Sequence, residues 1–131
     1  MTTQAKRILI VDDDDQIRNL LRTVLESHGY AVRHAANGLE AAKLAEAETP
    51  DLVITDIFMP EADGFEVLAV IKKSHPEIPV IVVSGSQVTP NVDFLHLAGR
   101  LGAYSVLHKP FRPQQLVEAV ETALANPSGR S

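Results

Sequence analysis

The chain has 131 residues, 45% of them hydrophobic and 22% charged, with a formal net charge of −5 and no cysteine. That length suits one compact domain with its own core, and the missing thiols exclude disulfides, thiolate metal sites and cysteine nucleophiles. The acidic balance disfavours electrostatic binding of nucleic acid, and no apolar run approaches the ~20 residues of a membrane span or resembles the apolar part of a signal peptide.

Ile8-Leu9-Ile10-Val11 is a continuous apolar run, the pattern of a strand buried on both faces. Ile17, Leu20, Leu21, Val24 and Leu25 follow at helical spacing, with Asp14 or Asp15 as the cap and Gly29 as the stop. Ala31 to His34 reads as a second strand, and the Ala-, Leu- and Glu-rich stretch Gly38 to Glu48 as a second helix ended by Pro50. Leu52 to Thr55 is a third strand, and Phe65, Leu68 and Ile71 mark a third helix that ends before Pro76.

Pro79 opens a fourth strand, Val80 to Val83. A helix around Asn91 to Arg100 follows, broken by Gly102, and Tyr104 to Leu107 is a fifth strand. Pro113 sits in the first turn of a last helix carrying Leu116, Val117, Val120 and Leu124. Residues 1–125 form the expected domain and 126–131 a flexible tail. Five short apolar strands alternating with five helices predict an α/β fold with a parallel sheet covered on both sides.

In such a sheet, ligands bind beyond the carboxyl ends of the strands. There stand Asp12 and Asp13 after the first strand, Asp56 after the third, Ser84 after the fourth and Lys109-Pro110 after the fifth. Three clustered carboxylates need a compensating cation, and oxygen ligands without His or Cys suit a hard ion such as Mg²⁺. Asp56 could then attack phosphorus and form an acyl phosphate, with Lys109 and Ser84 contacting phosphoryl oxygens. The five histidines show no metal-ligand spacing, and the four phenylalanines read as packing residues.

From about residue 6 to 125 the chain resembles the receiver domains of two-component response regulators. The resemblance rests on Ile8 to Asp14, Pro50 to Pro60 with Asp63-Gly64, Val82-Val83-Ser84-Gly85, and Gly102-Ala103 with Lys109-Pro110-Phe111. It implies a flavodoxin-like doubly wound sheet of order 2-1-3-4-5, with Asp56 as the phosphoacceptor. It also implies Mg²⁺ or Mn²⁺ held by Asp12, Asp13, Asp56 and the backbone carbonyl of Phe58, Ser84 as the switch hydroxyl, Lys109 as the site lysine, and a cis Lys109-Pro110 bond. The implied partners are a histidine kinase or histidine phosphotransfer protein and a downstream effector, in the cytoplasm, with phosphorylation-dependent homodimerisation as an option. Neither direct nucleic acid binding nor a membrane is implied.

The chain departs from the receiver pattern at two places. Val106 holds the switch position that is usually aromatic, and Tyr104, two residues earlier, is expected to share its strand face. The stretch between Ser84 and Lys109 is longer than usual and contains Pro90, on the family's usual output surface. Two rival readings follow from the same residues. One is a small aspartate-nucleophile phosphatase of the haloacid-dehalogenase type, with Asp12 as nucleophile. The other is a degenerate receiver that binds partners without phosphorylation.

Overall fold

The computed structural model describes residues 5–56, 64–84, 100, 102–108 and 111–127, without the side chains of residues 64–66 and 84. In chain order the elements are β1 (Arg7–Val11), α1 (Asp15–Ser27), β2 (Ala31–Ala35), α2 (Gly38–Ala47), β3 (Leu52–Asp56), α3 (Gly64–Ser74), β4 (Val80–Ser84), β5 (Ser105–His108) and α4 (Pro113–Ala125). The five strands form one sheet of order β2-β1-β3-β4-β5. Every neighbouring pair is parallel. The expected order is therefore found, and the helix expected around Asn91 to Arg100 lies outside the described residues except for Arg100.

Period-two alternation divides each central strand between two cores. Leu9, Val11, Val53, Val80 and Val82 face one layer, packed by Ala41 and Ala45 of α2 and by Val67, Leu68 and Ile71 of α3. Ile8, Ile10, Leu52, Ile54, Ile81 and Val83 face the other, packed by Leu21 and Leu25 of α1 and by Leu116, Val120 and Ala123 of α4. Each fully buried aliphatic side chain contributes about 1.5–3 kcal/mol relative to exposure. This two-sided burial explains why β1 and β3 read as unbroken apolar runs, whereas β2, at the sheet edge, alternates between exposed and partly buried residues.

The helix ends follow from local chemistry. Asp14 caps α1, its carboxylate accepting from the backbone N–H groups of Gln16 (2.8 Å) and Ile17 (3.3 Å). Gly29, at φ +90°, lets the chain turn back after the helix. Pro113 occupies the first turn of α4, and the Gln115 side chain accepts from the Arg112 N–H at 2.7 Å.

Tyr104 is placed differently from the expectation. It precedes β5 rather than belonging to it, and its side chain packs with the α1/α4 core, whereas Val106 packs with the α2/α3 core. The Tyr104 hydroxyl donates to the Asn126 carbonyl at 2.9 Å, beyond the end of α4. Gly102, at φ +102°, turns the backbone just before Tyr104, so strand alternation does not reach back to it.

Candidate functional site: an acidic cluster at the strand ends

Parallel register brings the relevant strand ends together. Val11 is paired with Ala35 on one side and Thr55 on the other, so Asp12 and Asp56 extend from adjacent positions. The Asp12 N–H continues the ladder beyond β1 by donating to the Ala35 carbonyl at 3.1 Å. One Asp12 carboxylate oxygen accepts from the Asp14 N–H at 2.9 Å. The Thr55 hydroxyl, fully buried, donates to the Asp56 carbonyl at 3.0 Å.

Asp12 is 2% exposed and Asp56 8%, while Asp13 faces solvent. One carboxylate oxygen from each lies within 4.8 Å of the others. At an effective dielectric near 20, two unit charges at that separation repel by about 3 kcal/mol. Three carboxylates held this close form a site that favours a cation, and their hard oxygen donors match Mg²⁺ or Mn²⁺ rather than a thiolate- or imidazole-seeking metal.

A family model for the response regulator receiver domain matches residues 8–121. The chain belongs to that family. As a receiver of two-component systems it resembles the nitrogen assimilation regulatory protein NtrX of Azorhizobium caulinodans, at 38% identity over 92% of this chain and 26% of that protein. It is 36% identical to the regulatory protein PhoP of Bacillus subtilis, over 91% of this chain and 48% of that one. The chain thus spans about a quarter to a half of these curated relatives.

Among solved structures, the CheY-like receiver domain protein of Methanospirillum hungatei matches with a TM-score of 0.87 and 33% identity, over 93% of this chain and 95% of that one. The receiver domain of NtrX from Brucella abortus matches with a TM-score of 0.84 and 37% identity, over 90% and 98% respectively.

Of the site residues expected in this receiver, Asp12, Asp13 and Asp56 come together. Ser84 closes β4 opposite His108, on the same rim of the sheet. Val106 pairs with Val82 in β5 and is half-buried against the α2/α3 core. Phe58, Lys109 and the Lys109-Pro110 bond lie outside the described residues.

One residue at the site was not anticipated from the sequence. Arg18 on α1 is 9% exposed, and its Nη1 donates to the Asp12 carbonyl at 2.5 Å. Its Nη2 pairs with the exposed carboxylate of Asp15. The available signal was its spacing. Arg18 stands three and seven residues before the buried Leu21 and Leu25, on the stripe that should be apolar.

Proposed function

We propose that this receiver is the phosphoryl-accepting switch of a two-component phosphorelay, with Asp56 as acceptor and Asp12, Asp13 and the Phe58 carbonyl completing a site for Mg²⁺ or Mn²⁺. The observation that carries the reading is the convergence of three carboxylates within 4.8 Å at the strand ends of a receiver fold. The donor set fits the ion, being made of hard oxygens with no imidazole or thiolate among them. When bound, the ion neutralises charge that builds on a transferring phosphoryl group.

The remaining chemistry belongs to the side chains. A carboxylate oxygen of Asp56 bonds to phosphorus as the phosphorus–nitrogen bond of a phosphohistidine breaks. The electron pair leaves with the imidazole, which takes a proton from water, and the product is an acyl phosphate. Lys109 offers a point charge and Ser84 a hydroxyl to the phosphoryl oxygens. The receiver is modified once per cycle and does not turn over an external substrate.

The donor is a histidine kinase or histidine phosphotransfer protein, and the signal passes to a downstream effector, with phosphorylation-dependent pairing of receivers as one form of output. A net charge of −5 supports protein partners over nucleic acid. The NtrC relatives are named as DNA-binding, and this chain spans 25% of the Rhizobium meliloti one, so that property is not carried over. A cytoplasmic location is part of this reading; among the described residues no helix is long and apolar enough to cross a membrane. Residues 1–125 constitute the receiver in this reading, and 126–131 a tail.

The test is incubation with acetyl phosphate followed by intact-mass measurement. One added phosphoryl group is expected with Mg²⁺, and none with EDTA or in Asp56→Ala. A modification that survives Asp56→Ala contradicts the reading.

A further inference from the structure

We infer that Arg18 is a positioning residue for the acidic site, fixing the peptide between Asp12 and Asp13 so that their carboxylates converge with Asp56. The inference rests on the reading above that these aspartates hold a divalent cation.

Four polar or charged side chains are buried among the described residues, namely Asp12, Arg18, Thr55 and Asp56, and all four stand at this end of the sheet. Packing does not account for Arg18. Its position on the α1 stripe would be filled by an aliphatic residue at no desolvation cost, whereas a buried guanidinium is costly unless its N–H groups are used. The Nε has no hydrogen-bond partner among the described residues, so the side chain is held there at some expense by its two terminal nitrogens.

What those nitrogens grip is informative. Nη1 takes the main-chain carbonyl of Asp12, and Nη2 takes Asp15, the first residue of α1 and one turn before Arg18 itself. The Asp12 N–H and one of its carboxylate oxygens are already engaged by Ala35 and Asp14. The carbonyl is therefore a further point at which Asp12 is held. A peptide unit is planar, so fixing that carbonyl sets the direction in which the chain leaves for Asp13. A planar guanidinium fork can hold two such acceptors in fixed relation, which an ammonium cannot do.

A purely electrostatic role gives the opposite sign. As a charge alone, Arg18 would repel an incoming divalent cation, and its removal would tighten binding. As a positioning group, its removal loosens binding, because outer-shell partners of metal ligands are typically worth about 10–100-fold in affinity.

The experiment is calorimetric titration of Mg²⁺ into the native chain, Arg18→Met and Arg18→Lys, with urea unfolding of each in EDTA. The dissociation constant is expected to rise about tenfold or more in Arg18→Met. It is also expected to rise several-fold in Arg18→Lys, which keeps the charge but loses the fork. Should Arg18→Met fail to fold, Arg18→Lys decides. Binding by Arg18→Lys within twofold of native, or tighter binding by Arg18→Met, overturns the inference even if stability in EDTA falls. Failure of the native chain to bind Mg²⁺ overturns instead the reading on which it rests.

Discussion

The side chain of Lys72 on α3 lies directly under Gly102, where an added Cβ would fall 3.1 Å from Lys72 Cε and 3.3 Å from Cγ. Lys72 is not free to swing aside, because its Nζ donates to the carbonyls of Pro76 and Ile78, each at 2.8 Å. Gly102 also sits at φ +102°, where a side chain is strained whatever the space. Gly102→Ala is therefore expected to destabilise the fold by about 1–3 kcal/mol. Urea denaturation checks this. The acidic cluster is at the other end of the sheet from this contact, so phosphorylation by acetyl phosphate should persist at temperatures where the variant remains folded.

Asp14 and Asp12 are neighbours with separable roles. The Asp14 carboxylate caps α1, while its backbone N–H supports Asp12. Asp14→Ala removes the first and keeps the second. Its expected cost is about 1 kcal/mol of stability, with Mg²⁺ affinity retained. Parallel denaturation and calorimetric titration check both halves.

Repulsion within the acidic cluster makes stability depend on the cation. In EDTA, Asp13→Asn removes one of three mutually repelling carboxylates, so it is expected to melt above the native chain. In saturating Mg²⁺ the order reverses, because only the native site gains fully. At 100 times its dissociation constant a ligand adds about 2.7 kcal/mol. Thermal melts of both proteins in both buffers test for the crossover.

Tyr30 provides a pH dependence of known sign. Burial, and secondarily the negative charge of Glu121, hold its phenol above the ordinary tyrosine range. A group whose folded pKa is raised contributes stability that is intact below its unfolded value, about 10, and is lost as pH rises beyond it. Stability should accordingly fall through the alkaline range, and Tyr30→Phe should flatten that fall. Denaturation midpoints at about pH 9 and 11 measure it.

Much of this was legible in the sequence, for identifiable reasons. The runs Ile8 to Val11 and Leu52 to Thr55 announce central strands because both of their faces are buried. Parallel strands then carry Asp12, Asp13 and Asp56 to one edge without further information. Tyr104 was misplaced because alternation holds only within a strand, and β5 begins one residue later, after the turn at Gly102. Arg18 was missed because a single arginine in a helix ordinarily faces water. Its spacing to Leu21 and Leu25 hints at the inward face, and its bond to the Asp12 carbonyl shows what it does there.

If the shared cation site activates one carboxylate, Asp56 is expected to react and Asp12 and Asp13 are not. The most direct measurement is to phosphorylate the native chain with acetyl phosphate and Mg²⁺, reduce the acyl phosphate with borohydride, and locate the altered residue by peptide mass spectrometry. Modification at Asp56 alone is expected. Modification at Asp12, with steady release of inorganic phosphate, would contradict it and favour a phosphatase.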